Sequence, residues 1–347
     1  MIGVISLKPL EGETMADFFF EYGLFLAKTL TIVAAIAVLV WFFVALAGRK
    51  QQDKRDSLQI KKLNRRYNDM AMAMNASMLH KDGLKKYLKE EKEKLKTAVK
   101  ELKSGSHPKR IFVVNFHGDI RASAVSSLRE EITAILTVAR ESDEVFIRLE
   151  SPGGVVHGYG LGASQLMRVR EKNIPLTVSV DKVAASGGYM MACVANRILA
   201  APFAIIGSIG VIAQLPNFNK VLKKHDVEYE QFTAGEFKRT VTLFGENTKE
   251  MKNKFREEIE DIHVLFKDFI VRNRPEVDIV KVSTGEHWPG TRALERKLVD
   301  ELKTSDDYLL ERCKDADIFE VKYVSRKSLG ERIGFQLQRL IDKFQYN

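Results

Sequence analysis

Asp181-Lys-Val-Ala-Ala-Ser-Gly-Gly-Tyr189 is the most informative motif of this chain. It follows an apolar run at residues 174–180, which predicts a buried strand. Residues 189–196 after it are interpreted as a helix. Ser186 is therefore expected where a strand turns into a helix, beside the N–H groups of two glycines at a helix N-terminus. This arrangement is typical of a nucleophile placed next to the donors that stabilise an oxyanion. The alternative interpretation is a glycine-rich turn that contains an incidental serine.

Strands and helices alternate on both sides of this stretch. The predicted strands are residues 110–116, 144–149, 174–180, 197–200, 205–213 and 226–232, and the predicted helices are residues 123–139, 159–171, 189–196 and 249–272. Repeated strand, loop and crossover helix predicts an α/β domain with a largely parallel sheet.

A second glycine-bearing loop, Ser151-Pro-Gly-Gly154, follows the strand at residues 144–149. In an open parallel sheet, loops after successive strands meet at the carboxyl edge, where ligands bind. The N–H groups of Gly153 and Gly187 would there form an oxyanion hole with two donors. Taken alone, the loop is equally well explained as an ordinary turn.

A serine nucleophile needs a base, and the residues leave that choice open. Of seven histidines, His157 lies nearest to the Ser-Pro-Gly-Gly loop, but no motif supplies it with an orienting carboxylate. Lys238, in Thr233-Ala-Gly-Glu-Phe-Lys238, is the other candidate. A lysine acts as a base only where burial disfavours its ammonium form. Spacing alone favours a solvated surface lysine here.

Composition restricts the partners of the chain. It has 347 residues, 45% of them hydrophobic, which is enough for one large domain or two ordinary ones, and a net charge of +9. Such a charge suggests anionic partners. Much of the basic excess follows an apolar segment, so a lipid surface is expected rather than nucleic acid. Cys193 and Cys313 lack metal-type spacing, and no metal or cofactor is expected.

Residues 29–47 contain no charged side chain and, at about 1.5 Å per residue, have the length of a bilayer core. A retained anchor is favoured over a signal peptide, because the preceding region is long and acidic and the apolar core is long. The span is followed by many more basic residues than precede it, and the positive-inside rule then places the C-terminal part in the cytoplasm.

The resulting domain organisation has four parts. Residues 1–48 carry the membrane helix, residues 49–108 form a charged helical stalk that ends in Ser104-Gly-Ser-His-Pro108, residues 109–305 form the catalytic domain, and residues 306–347 form a C-terminal extension.

Together these motifs resemble the S49 peptidase family, which includes signal peptide peptidase A. The shared elements are Ser151-Pro-Gly-Gly154, Asp181-x-x-Ala-Ala-Ser-Gly-Gly-Tyr189, Gly207-Ser-Ile-Gly-Val211 and Gly235-Glu-Phe-Lys238, in the order of the family and over about residues 110–305. No single motif is specific for the family, but the four motifs together are.

The resemblance implies a ClpP/crotonase-like fold and a Ser-Lys dyad. It assigns the nucleophile to Ser186, the general base to Lys238, a lysine-orienting role to Ser208, and the oxyanion hole to Gly153 and Gly187. It further implies a peptide or protein substrate, a bacterial inner-membrane location and ring-like homo-oligomers in which neighbouring subunits complete the site.

Two features depart from the family pattern, and two rival functions stay open. Lys297 stands where related chains often have a glycine before Leu-Val-Asp, which puts the local backbone in question. Relatives are usually drawn with the catalytic domain outside the cytoplasm, against the basic flank of this chain, so the membrane face is left open. The rivals are a non-hydrolytic scaffold and a crotonase-like protein that binds acyl-CoA.

Overall fold

The structure is a computed structural model that describes residues 15–49, 57–103, 108–235 and 237–325. An N-terminal helix belongs to one unit, and the described residues from Leu58 to residue 325 belong to a second unit that contains both glycine-bearing loops. Each unit is described by itself.

The described helices are α1 (Met15–Arg49), α2 (Leu63–Met78), α3 (Lys81–Lys103), α4 (Val125–Leu136), α5 (Val156–Glu171), α6 (Gly187–Ala192), α7 (Asn219–Lys224), α8 (Lys249–Asn273), α9 (Ile279–Val282), α10 (Gly290–Glu295) and α11 (Ser305–Arg312). The described strands are β1 (Ser57–Lys62), β2 (Lys109–His117), β3 (Glu144–Glu150), β4 (Leu176–Val180), β5 (Val183–Ala185), β6 (Arg197–Ala200), β7 (Ile205–Gly207), β8 (His287–Pro289), β9 (Glu301–Leu302) and β10 (Ala316–Val324).

The strands form two sheets. The larger has the order β1-β10-β2-β3-β4-β6-β9, and its neighbours from β10 to β9 are all parallel. The smaller has the order β5-β7-β8, with β5 parallel to β7 and β8 antiparallel to β7. The expected α/β class with a mostly parallel sheet is therefore confirmed.

Strand β3 shows why the large sheet is buried on both faces. Val145, Ile147 and Leu149 point into the main core beneath α4 and α5, whereas Phe146 points to the other face and stacks on Tyr308 of α11, with ring centroids 5.1 Å apart. Side chains alternate along a strand, so a central strand with helices on both faces reads as continuous apolar sequence. The carboxyl end of β3 leads directly into the Ser151 loop.

The predicted elements around the two loops are present with shifted ends. The strands predicted at 110–116, 144–149, 174–180 and 197–200 correspond to β2, β3, β4 and β6. The helices predicted at 123–139, 159–171 and 249–272 correspond to α4, α5 and α8. The helix predicted at 189–196 begins two residues earlier, at Gly187, and ends at Ala192.

Two predicted strands are corrected. The strand predicted at 205–213 ends at Gly207, because Gly207 and Ser208 both have positive φ (111° and 51°) and turn the chain out of the sheet. The strand predicted at 226–232 is wrong. Its residues alternate suitably, but they are exposed and pair with no strand of the described chain, and a strand without a partner leaves its backbone groups unbonded.

Residues 57–103 form strand β1 followed by helices α2 and α3, which are separated by two residues. Strand β1 lies next to β10 at the edge of the large sheet. Asn64, in the first turn of α2, donates to the carbonyl of Ala316 at 2.8 Å and accepts from the N–H of Ile318 at 2.7 Å. The start of α2 is thus bonded to β10. Strand β10, which lies within residues 306–347, pairs in turn with β2.

Helix α1 covers the apolar segment. Its window Tyr22–Leu39 is long and apolar enough to cross a membrane, and none of it is buried against the protein. A signal sequence near an N-terminus has the same length and composition.

Lys297, which stands where the sequence analysis expects a glycine, has a φ of +60°, in the left-handed region. Its carbonyl accepts from Arg274 at 3.1 Å, and the N–H of the following Leu298 donates to Ala293 at 2.9 Å. This turn therefore has the backbone geometry that favours glycine, although a lysine occupies it.

Candidate active site

Ser186 lies at the turn between β5 and α6. Its φ of 50° and ψ of −117° are sparsely populated by residues other than glycine. The turn is tied down on both sides, because the Ser186 N–H donates to Gly207 at 2.8 Å and the Ser186 carbonyl accepts from Met190 at 3.0 Å. The side chain is part-exposed while the residues on either side are buried. A strained turn, held by hydrogen bonds on both sides, therefore leaves Ser186 part-exposed between buried neighbours.

The Ser-Pro-Gly-Gly loop is joined to that turn by a short parallel bridge. The N–H of Ser151 donates to Val183 at 2.9 Å, and the carbonyl of Ser151 accepts from Ala185 at 3.0 Å. Gly153 is thereby brought against Ser186. A Cβ at Gly153, whose φ is +91°, would lie 2.8 Å from the Ser186 Cβ and 2.9 Å from the Gly187 nitrogen. Only glycine fits such an approach.

Three of the predicted site residues, Ser186, Gly153 and Gly187, are therefore neighbours in space. In the part of the chain that the structure describes, the N–H of Gly187 donates to no carbonyl, as expected in the first turn of a helix. The N–H of Gly153 donates to Ser151 Oγ at 3.1 Å.

Ser208, directly after β7 of the small sheet, also lies beside the Ser186 turn. It follows Gly207, the residue whose carbonyl receives the Ser186 N–H, and its own N–H donates to Glu286 at 2.7 Å. Its φ is +51°, so two consecutive left-handed residues form the turn beside the serine. The side chain is part-exposed. Ser208 is thus next to Ser186 through the backbone.

No hydrogen bond joins Lys238 to Ser186 within the described chain. It is exposed, on a long segment between β7 and α8 that belongs to neither sheet, and its N–H donates to Gly235 at 3.2 Å. Among the described residues, no hydrogen bond or ion pair involves its ammonium group. In the part of the chain that the structure describes, no side chain is hydrogen-bonded to the Ser186 hydroxyl.

The segment that carries Lys238 exposes large apolar side chains. Phe232 is 90% exposed and Ile212 is 79% exposed, and Phe237 beside the lysine is also exposed. Phe203, at the turn before β7, is 89% exposed. Large apolar side chains this exposed are candidates for contact with another molecule.

His157, the histidine alternative, is exposed near the start of α5. No carboxylate of the described residues pairs with it, whereas His117 lies 3.7 Å from Glu150. No group of three or more His, Cys, Asp or Glu side chains that could hold a metal ion occurs among the described residues.

Tyr159 is a residue of this site that the sequence did not single out. Its ring lies under the start of α6, and its hydroxyl is 2.6 Å from Ser151 Oγ and donates to the Asp119 carbonyl at 2.8 Å. Burial raises the pKa of Tyr159 above its ordinary value of 10.0, so the hydroxyl keeps its proton at neutral pH. A tyrosine on an apolar helix face gave no signal to distinguish it from core packing.

Comparisons with known proteins give one family over most of the chain. The model of Peptidase family S49 N-terminal matches residues 17–166, and that of Peptidase family S49 matches residues 168–318. "Probable protease SohB" of Haemophilus influenzae is 48% identical over 333 residues, covering 93% of this chain and 94% of that protein. "Probable protease SohB" of Buchnera aphidicola subsp. Schlechtendalia chinensis is 50% identical over 305 residues, covering 85% and 100%.

A solved structure of 1510-N membrane-bound stomatin-specific protease covers 60% of this chain and 86% of its own, with 16% identity and a TM-score of 0.39.

Proposed function

This chain belongs to peptidase family S49, and we propose that it is a membrane-anchored serine endopeptidase that uses Ser186 and Lys238 as a Ser-Lys dyad. The observation that carries the proposal is the contact of three backbone segments around one hydroxyl. Ser186 sits in a strained turn, Gly153 lies so close that an added Cβ would be 2.8 Å from the Ser186 Cβ, and Gly187 begins the helix that follows.

In the proposed reaction, neutral Lys238 takes the proton of Ser186 Oγ as that oxygen attacks the carbonyl carbon of a peptide bond. The N–H of Gly187 holds the oxyanion, and the N–H of Gly153 is the second donor, shared between the oxyanion and Ser151 Oγ. The protonated lysine then gives its proton to the leaving amine, and the acyl group stays on the serine. Water attacks this ester, the lysine removes the proton of the water, and Ser186 is released with its hydroxyl restored. Ser208 orients the lysine amine.

Assembly of several copies would bring the lysine to the serine. Lys238 is exposed, and so are Phe232 and Phe237 around it. Covering those side chains with a neighbouring subunit would exclude water from the lysine, which is the condition under which an amine becomes a base. We therefore include a homo-oligomer in the proposal, with activity that depends on assembly.

The proposed location is the bacterial inner membrane, with α1 as the single span. The apolar window Tyr22–Leu39 supports this. The proposed substrates are membrane-derived peptides or misfolded proteins. The membrane face stays open, and a cysteine introduced on the exposed face of α8, labelled from outside in intact cells, would decide it.

The test is cleavage of casein or a labelled peptide by the full-length protein in detergent. Ser186→Ala and Lys238→Ala are expected to lower kcat by on the order of 10³-fold or more. The matched controls are Ser164→Ala on the surface of α5 and Lys224→Ala on the same exposed segment as Lys238. Both are expected to retain activity.

A fluorophosphonate probe adds an independent readout. It should label the wild type and the Ser164→Ala control but not Ser186→Ala. Near-normal turnover of Lys238→Ala across neutral pH would refute the dyad. Absence of cleavage and labelling in the wild type, together with binding of acyl-CoA, would support the crotonase-like alternative instead.

A further inference from the structure

Buried hydroxyl groups connect the loop of Gly153 to Asp119 by a continuous run of hydrogen bonds. Gly153 N–H donates to Ser151 Oγ at 3.1 Å, Ser151 Oγ is 2.6 Å from Tyr159 Oη, and Tyr159 Oη donates to the Asp119 carbonyl at 2.8 Å. A phenol has one proton. Because Tyr159 gives it to Asp119, Ser151 must donate its own proton to Tyr159 and is left to accept from Gly153.

The direction of every bond in this run is therefore determined. It runs from Gly153 N–H through Ser151 O–H and Tyr159 O–H to the Asp119 carbonyl. Hydrogen bonds aligned in this way polarise and strengthen one another in a low-dielectric interior. Ser151 and Tyr159 are both fully buried, so losing either hydroxyl leaves a polar partner unpaired.

Packing around the two hydroxyls is too tight for water to replace either one. A Cβ at Gly118 would lie 2.4 Å from both Ser151 Oγ and Tyr159 Oη, and a Cβ at Gly188 would lie 2.6 Å from the Ser151 carbonyl oxygen. The Tyr159 ring is also held edge-on by Phe116, with centroids 6.5 Å apart. The hydroxyls therefore have a single arrangement.

We infer that Tyr159 is a positioning residue for the reaction at Ser186. Through Ser151 its hydroxyl sets the orientation of the Gly153 peptide, and Gly153 lies so close to the serine turn that an added Cβ would be 2.8 Å from Ser186 Cβ and 2.9 Å from the Gly187 nitrogen. Tyr159 touches no reacting atom. This inference rests on the proposed function, because it needs Ser186 as the nucleophile and Gly153 as an oxyanion donor.

The test compares Tyr159→Phe, Ser151→Ala and the double variant in the full-length protein. Each single change is expected to lower kcat on the order of tenfold through a displacement of the loop, with KM changed less than about threefold. Since both changes break the same run of bonds, the double variant should be little worse than either single variant.

Tyr308→Phe is the matched control. Tyr308 is also a buried tyrosine with a bonded hydroxyl, which lies 2.5 Å from Glu144 Oε1 on the other face of the large sheet. It should lose comparable stability but keep kcat. Hydrogen–deuterium exchange at the Gly153 amide should become faster in Tyr159→Phe and Ser151→Ala and stay unchanged in Tyr308→Phe.

The possible outcomes distinguish a failure of the positioning role from a failure of the proposed function. If Ser186→Ala is inactive while Tyr159→Phe and Ser151→Ala both keep wild-type kcat, the positioning role is wrong and the proposed function stands. If Ser186→Ala keeps its activity, the proposed function itself fails. Equal losses of kcat in Tyr159→Phe and Tyr308→Phe would mean that only general destabilisation is at work.

Discussion

Replacing Gly187 by alanine tests the packing of the site, because the added methyl group has no room. Its Cβ would lie 2.4 Å from Cγ of Tyr159 and 2.7 Å from Cδ2 of the same ring. Carbon atoms in contact normally stay about 3.5–4.0 Å apart. The ring and the start of α6 must therefore separate by about 1 Å. Tyr159 is fully buried and bonded through its hydroxyl, so α6 is expected to move, and Ser186 with it.

The size of the effect follows from that displacement. Overpacking a core costs about 1–3 kcal/mol of unfolding free energy, and misplacing catalytic groups by about 1 Å costs on the order of 10²-fold in rate. Gly187 does not have positive φ, so alanine suffers no backbone penalty there and the effect is steric.

Gly160→Ala is the control, since it makes the same change beside the same tyrosine. A Cβ at Gly160, within α5, meets no atom within 4 Å. Alanine replaces glycine in a helix with a gain of about 0.5–1 kcal/mol. This variant should be slightly more stable than the wild type and equally active.

The assay is peptide cleavage by the full-length protein, with thermal unfolding of the same samples. Gly187→Ala should melt earlier and lose most of its turnover, while Gly160→Ala should do neither. A Gly187→Ala protein with wild-type melting and turnover would refute the packing argument, because the methyl group would then have found space that the structure does not contain.

Three further predictions concern the body of the fold. Burial raises the pKa of Glu131 from 4.5 to about 6. Its ionised form therefore destabilises the folded protein by about 2 kcal/mol above pH 6, and this penalty disappears as the pH falls below 4.5. Glu131→Gln should raise the free energy of unfolding in urea at pH 7.5 but not at pH 4. Burial raises the pKa of the Cys193 thiol. Iodoacetamide at pH 8 should therefore modify part-buried Cys313 in the folded protein and Cys193 only after unfolding. Rapid labelling of Cys193 in the folded protein would contradict this prediction. Arg274 is 4% exposed and donates two hydrogen bonds to Asp300, at 2.7 and 2.9 Å. Arg274→Met should therefore lower the free energy of unfolding in urea by about 2 kcal/mol or more. An unchanged unfolding midpoint would argue against a stabilising role for this pair.

Local patterns identified the elements that place the serine turn. The apolar runs became β3 and β4, but the serine turn follows β5, a short strand that the sequence analysis did not predict. The two glycine-bearing turns are close because Ser151 pairs with β5. Periodicity failed at 226–232, where alternation is present but no neighbouring strand is available.

The strand pairing at the edge of the large sheet could not be predicted from local sequence. Strands β1 and β10 stand next to each other although they are far apart in the chain, and Asn64 bonds to residues about 250 positions away. No local pattern predicts such pairing, since it depends on which edge remains open after the central strands have assembled. The limits of the catalytic domain at 109–305 stay a prediction, as does the role of Lys238.

The class of fold, the apolar segment near the N-terminus and the placement of Ser186 in a turn before a helix could be predicted from the residues alone, because each depends on the period and composition of neighbouring residues. The closeness of Gly153 to Ser186, the bond between Tyr159 and Ser151, and the exposure of Lys238 became evident only from the packed chain. Contacts between residues distant in sequence arise from packing, and packing is a property of the whole assembly of strands and helices rather than of any one segment.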